Sequence, residues 1–333
     1  MVRVLCGDGQ SPPAEYPGDV DIRRLIADPS NVLWVDICDP EDENGVHPEA
    51  LRILRDVFEF HPLAIEDALI ESHVPKVDDW GSYLYIVLHA VHFERGKEQL
   101  ETRELDLFVG PNYLVTYRTE AVRALEQQWR ITQRDARHTR RGVDYLLYEL
   151  CDAIATDYLP VMDAMDEAVD LLQDEVFERT DAHLVERIFR LKRAVLDLRR
   201  VLSPQREVLN KLSRGDFAVI DNKDRVYFRD VYDHFVRLVD LNESLRDVVS
   251  GVLDTYLSVA ANRTNAIMKT LTIVSLMFLP LTFITGFFGM NFFGGSIELT
   301  FETNHWLFFL ASMLLMIGMP LAMLLYIRRR GWW

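Results

Sequence analysis

Seven residues alternately three and four positions apart set a mostly polar stripe into an apolar run: Asn265, Met268, Thr272, Ser275, Leu279, Thr282 and Gly286. At 3.6 residues per turn they share one face of a helix. The run closes on Gly289-Met290-Asn291, and no charged residue lies between Lys269 and Glu298. Rings of amide and hydroxyl oxygens, one set from each of several copies, can hydrogen-bond the waters of a hydrated cation without stripping them. That chemistry suits Mg²⁺, which dehydrates reluctantly and keeps several waters. Bare Zn²⁺ or Cu⁺ asks for His, Cys or clustered Met ligands, and this run contains no His or Cys. Thr and Ser in such a run more often bond their own backbone or pack helices. The spacing alone therefore leaves lining and packing both open.

The stripe needs an element to carry it. Residues 269–288 are apolar enough, with the residues around them, to cross a hydrocarbon core of ~30 Å as a helix. A second apolar run, residues 306–327, is followed by a basic tail, residues 328–333, that opens on Arg328-Arg329-Arg330. The connecting loop, residues 289–305, carries Glu298 and Glu302 and no Lys or Arg. By the positive-inside rule both chain ends are cytoplasmic and the loop is external, in a multi-pass protein of the cell (inner) membrane. The two glutamates would then concentrate cations at the external side. Two spans are too few to enclose a pathway, so a pore requires an oligomer in the lipid bilayer.

The 333 residues carry 52 Asp and Glu against 36 Lys and Arg, a net charge of -16. The mean hydropathy of -0.01 averages an acidic soluble part with the apolar end. Such a balance argues against nucleic acid and for cations as partners. Cys6, Cys38 and Cys151 are scattered, with no CxxC pair, as expected of reduced thiols in a cytoplasmic domain. The N-terminal residues lack the pattern of a signal peptide. No Gly-rich phosphate loop, G-x-S-x-G or H-E-x-x-H occurs, so no enzyme and no organic cofactor are expected. His61 and His234 read as helix-start and stalk residues.

In chain order, residues 1–120 read as a mixed α+β cytoplasmic domain. Residues 2–6, 31–37 and 82–93 suit strands, and residues 104–118 a hairpin turning at Gly110-Pro111-Asn112. His47-Pro48 and His61-Pro62 mark helix starts. Residues 121–268 change grammar: residues 143–177 show helical apolar spacing, residues 182–212 form a second amphipathic stretch interrupted at Pro204, and a third begins near Arg225. Unbroken to Phe288, that third helix would be about 95 Å long at 1.5 Å per residue. Gly251 weakens it by about 1 kcal/mol without ending it. Its apolar stripe (Val231, Phe235, Leu238, Leu245, Val249, Val252, Tyr256 and Val259) needs neighbours from this chain or other copies, as a plain coiled-coil stalk also would.

Gly289-Met290-Asn291 closing the first of two C-terminal spans, before a short acidic loop, resembles the CorA family of magnesium channels. The run from Asn265 to Asn291 looks like that family's pore helix, and HPLAIED, VDYLLYEL, YFRDVYDH and RDVVSGVLDTYLS look like family segments over nearly the whole chain. The resemblance implies a homopentameric funnel that takes up Mg²⁺, with Co²⁺ and Ni²⁺ as further cargo. Gly289, Met290 and Asn291 would form the outer mouth, and Thr282, Leu279, Leu271, Met268 and Asn265 would narrow the pore inward. Asp67 would face Asp230 of an adjacent subunit at a regulatory Mg²⁺ site, with Glu66 and Asp152 near a second. Bridging repelling carboxylates between subunits would make internal Mg²⁺ stabilise the closed ring.

Three departures bear on ion preference: Phe288 stands where Tyr is common, Leu279 where Met is common, and SIEL (residues 296–299) where many members have MPEL. One alternative is a zinc transporter of the related ZntB type, whose members tend to carry Gly-Ile-Asn where this chain has Met290. The other is a membrane-anchored scaffold or sensor, which has no use for Asn291 at a mouth.

Overall fold

A computed structural model describes residues 1–18, 20–40, 48–70, 74–215, 217–289 and 305–331. Two compact units partition the chain, Met1–Tyr256 and Leu257–Trp333. The first unit is built on a seven-stranded sheet: β1 (Val2–Gly7), β2 (Ala14–Pro17), β3 (Val32–Cys38), β4 (Lys76–Asp79), β5 (Leu84–Glu94), β6 (Gln99–Val109) and β7 (Tyr113–Arg118), in the order β2-β1-β3-β7-β6-β5-β4. Among the described strands only β3 and β7 run parallel, and the other pairs are antiparallel. The β6–β7 turn falls at Gly110, where a Cβ would sit 2.2 Å from the Tyr113 ring, so only glycine fits.

Alternation along β3 sorts the layers. Leu33, Val35 and Ile37 join a core with Ile22 of α1 (Ile22–Ile26), Ala50 of α2 (Pro48–Arg52), Ile53 and Leu54 of the π-helical turn that continues it, Phe60, and Ile65 of α3 (Pro62–Leu69). Trp34 faces the other way and meets Trp129 of α4 (Arg123–Arg134) edge to face. That second face is covered by α4 with two long helices, α5 (Val143–Glu178) and α6 (Ala182–Arg214). A sheet buried on both faces explains the near-continuous apolar reading of β5.

Between β3 and β7 a charge is buried. Asp36 accepts hydrogen bonds from Thr116 Oγ1 (2.7 Å), Arg118 Nη2 (3.0 Å) and Arg3 Nε (2.9 Å). Arg118 is only 3% exposed, and its charge is answered by Asp36 and by Glu126 of the following helix.

The break expected at Pro204 does not occur: α6 runs through it. Four-residue β4 pairs with β5 only as far as Val87, leaving the edge beyond it to be covered. Gln205 Oε1 accepts from the His89 backbone N–H at 2.8 Å, and Tyr158 Oη of α5 donates to His89 C=O at 2.8 Å. Packing around Gln205, with Leu202, Val208 and Leu209 buried beside it, holds the helix across the missing N–H. The strands β2 and β4 and the helix α1, not anticipated from the sequence, are short and weakly patterned.

The third long helix is α7 (Arg225–Gly289), continuous over 65 residues through Gly251 and Pro280. In the first unit its stripe is satisfied by this chain's own helices. Val231, Phe235, Leu238, Leu245, Val249 and Val252 are buried, Phe235 lies against Tyr158 of α5, and Glu243 pairs with Arg199 of α6 at 3.0 Å. The second unit comprises α7 from Leu257 onward and α8 (His305–Arg329). Both helices contain segments long and apolar enough to cross a membrane, within Arg225–Gly286 and Leu310–Arg329. The fold is thus an α+β region, long helices and two C-terminal apolar helices.

Candidate functional site

In the first unit, α5 and α7 meet through aromatic rings. Tyr145 and Tyr148 of α5 pack on Tyr227 of α7, and Tyr148 also meets Phe228 edge to face. Arg141 stacks over Tyr145 and Tyr227 and bonds Asp224 just before α7 at 2.7 Å. One turn along α5 from Tyr148 comes Asp152, and one turn along α7 from Val226 comes Asp230, with His234 four residues further on the same face.

These three residues form the one group of potential metal ligands among the described residues, with one ligand atom from each lying within 4.8 Å of the others. His234 Nδ1 is 3.5 Å from Asp152 Oδ1, and His234 Nε2 is 4.0 Å from Asp230 Oδ2. Partial burial raises the Asp152 carboxyl above its ordinary value; His234 opposes the rise and the Asp230 charge adds to it. A cation between the carboxylates relieves both the repulsion and the desolvation. The spacing leaves room for a Mg²⁺ that keeps waters, and an imidazole also suits Co²⁺ or Ni²⁺ directly. The sequence alone marks His234 as a stalk residue. Its spacing of four from Asp230 was the available signal.

Asp67 and Glu66 lie on α3, outside this cluster. Asp67 pairs with Lys76 of β4 at 2.5 Å, and Lys76 also reaches Asp78 at 3.3 Å, while Glu66 is exposed. α3 itself begins at Pro62 behind His61, whose Nδ1 accepts the Leu63 N–H at 3.2 Å. The expected facing of Asp67 and Asp230 is one between subunits.

In the second unit, the face of α7 that meets α8 carries Ala266, Ile273 and Met277, which line a cavity together with Leu324. At 3.6 residues per turn, the stripe of Asn265, Met268, Thr272, Ser275, Leu279, Thr282 and Gly286 projects from the opposite side. Every one of these residues is exposed, as is Leu271, with Met268 at 59% and Leu279 at 72%. Phe278 and Phe283 are exposed too, but their side chains are wholly apolar and suit lipid. Thr272 and Thr282 donate their hydroxyl protons to the carbonyls of Met268 and Phe278, at 2.8 and 2.9 Å. The hydroxyl oxygens are then left as acceptors facing outward, the polarity needed to receive protons from the waters of a hydrated cation. Backbone bonding and lining are compatible. Gly289 ends α7, whereas Met290, Asn291, Glu298 and Glu302 lie outside the described residues.

Residues 31–329 match the family model described as CorA-like Mg²⁺ transporter protein. The cobalt/magnesium transport protein CorA of Thermotoga maritima is 36% identical over 276 residues, covering 82% of this chain and 77% of that protein. The putative metal ion transporter YfjQ of Bacillus subtilis is 33% identical over 315 residues, 94% of each chain. Among solved structures, the complete CorA magnesium transporter of Methanocaldococcus jannaschii superposes with a TM-score of 0.82 at 24% identity, covering 99% of this chain and 98% of that one. At that identity the likeness concerns the fold.

Proposed function

The chain belongs to the CorA-like Mg²⁺ transporter family, and from that premise we propose that it is a divalent-cation channel taking up Mg²⁺, with Co²⁺ and Ni²⁺ as further cargo. The observation that carries this reading is the uncharged polar stripe of α7, exposed and turned away from α8. Five copies set those stripes around one axis, because two spans cannot enclose a path alone. Asn291, with Gly289 and Met290, forms the external mouth, where amide oxygens receive the waters of the hydrated ion. Glu298 and Glu302 raise the local cation concentration there. Leu271, Leu279 and Met268 form apolar constrictions that close by dewetting, and Thr282, Ser275 and Asn265 offer polar steps between them. Both chain ends lie in the cytoplasm of the cell that holds the channel in its inner membrane.

Regulation resides in the first unit. Mg²⁺ bound between Asp67 of one subunit and Asp230 of the next, with Glu66 and Asp152 near a second site of that kind and His234 beside both aspartates of its own chain, holds the ring closed when internal Mg²⁺ is plentiful. Two carboxylates that repel when empty and are bridged when occupied give the ion the differential affinity for the two states that gating requires. Mg²⁺ entry into dye-loaded proteoliposomes under a negative-inside potential tests the proposal. Wild type admits Mg²⁺ and Asn291→Ala does not. Entry of Zn²⁺ in place of Mg²⁺ would move the chain to the zinc reading, and no divalent entry at all would leave only the scaffold.

A further inference from the structure

The cavity between the two helices of the second unit, about 490 Å³, is lined by Ala266, Lys269, Thr270, Ile273, Val274 and Met277 of α7 and by Leu324 of α8. Lys269 is the one charged group in that lining. Arg328 stands one helical turn beyond Leu324, on the same face of α8, and Arg329 and Arg330 follow it. From Ala266 to Met277 is about 17 Å of helix at 1.5 Å per residue, close to the depth of one leaflet of a ~30 Å hydrocarbon core. The groove is therefore largely apolar over one leaflet, the Thr270 hydroxyl being bonded back to Ala266 C=O, with positive charge gathered at one end.

The sequence supplies no acid to answer that charge. In the sequence no Asp or Glu occurs between Asp254 and Glu298, and none follows Glu302. Asp254 stands fifteen residues before Lys269, roughly 22 Å along the helix. The spans of another copy could fill the apolar groove, but they carry no carboxylate for Lys269. An anionic phospholipid supplies both halves: an acyl chain for Ile273, Val274, Met277 and Leu324, and a phosphate for Lys269 and Arg328.

We infer that this groove is a binding site for one anionic phospholipid of the inner leaflet per chain, held by Lys269. The inference rests on the spans lying in a bilayer with Lys269 on its cytoplasmic side, and it is independent of which ion is carried. The test is native mass spectrometry of the full-length protein, reconstituted in equal parts phosphatidylglycerol and phosphatidylcholine and then extracted in mild detergent. Wild type retains phosphatidylglycerol about fivefold over phosphatidylcholine, the preference expected for one lysine at the surface. Lys269→Arg keeps the preference, Lys269→Gln falls to parity, and Met277→Trp, which fills the groove, loses both lipids. Equal retention in wild type, an undiminished preference in Lys269→Gln, or no retained phospholipid overturns the inference. Mg²⁺ entry has no part in the readout, so failure of the transport proposal is seen separately.

Discussion

At the residue scale, the cluster on α5 and α7 makes the sharpest statement. If Asp152, Asp230 and His234 hold one cation together, removing any member weakens it by about tenfold, in the range seen for loss of metal-site partners. Titration of the full-length protein with Co²⁺, followed by its visible absorption, reads this directly for Asp152→Asn, Asp230→Asn and His234→Ala. Unchanged Co²⁺ affinity in all three would show that the acids are a solvated patch. A second prediction concerns Glu175, near the end of α5. Its carboxyl is held below its ordinary value first by the hydrogen bond from Arg179 and then by that from Arg187 of α6. A depressed carboxyl contributes stability that is fully present above the ordinary Glu value near 4.3 and is lost as pH falls through the lower folded value. Glu175→Gln should therefore lower the melting temperature at pH 7 and make no difference at the acid end. An equal loss at both ends would mean packing, not charge.

At the element scale, the long helices were legible because their apolar residues recur at three and four over dozens of residues. Residues 143–177 and 225–288 correspond to α5 and α7. Pro204 misled because proline carries a local penalty, while the force that overrides it is tertiary. Gln205 is bound to β5 by a bond between residues 116 positions apart, which no window along the chain contains. Pro204→Ala should then stabilise the protein, by up to about 3 kcal/mol, by restoring a donor to a helix that already exists. Gln205→Ala should destabilise it by about 1–3 kcal/mol, leaving the His89 N–H buried without its acceptor. Thermal unfolding of the two variants separates the cases: a loss in Pro204→Ala would mean that the proline shapes α6. Asp36→Ala should be more severe, about 3–5 kcal/mol, since it removes the buried carboxylate shared by Arg3 and Arg118 and leaves the Arg118 guanidinium with only the partly exposed Glu126 as counter-charge. Asp36 and Arg118 could be seen in the sequence only as two charges in strand-like runs; the parallel pairing that joins them could not.

At the scale of the whole molecule, the family, the α+β region and the two apolar helices were readable from the order of the motifs and from the run ending at Gly289. What the sequence could not give was which acids meet within one chain. The resemblance implies Asp230 facing Asp67 of an adjacent subunit and Asp152 near Glu66 at a second site; within a single chain Asp152 and Asp230 also approach each other, with His234 between them. The stripe on α7 was readable as a face, but its orientation needed the second helix: only the packing of Ile273 and Met277 toward Leu324 fixes which side is left open.

That orientation is the central claim, and thiol block of Mg²⁺ entry tests it most directly. On a background with Cys6, Cys38 and Cys151 replaced, Thr282→Cys and Met277→Cys are reconstituted separately, and Mg²⁺ entry is followed before and after a charged methanethiosulfonate. The account predicts that Thr282→Cys is blocked, because its side chain faces the ion's path, and that Met277→Cys conducts as before, because its side chain faces α8. Block at Met277→Cys with none at Thr282→Cys would contradict it.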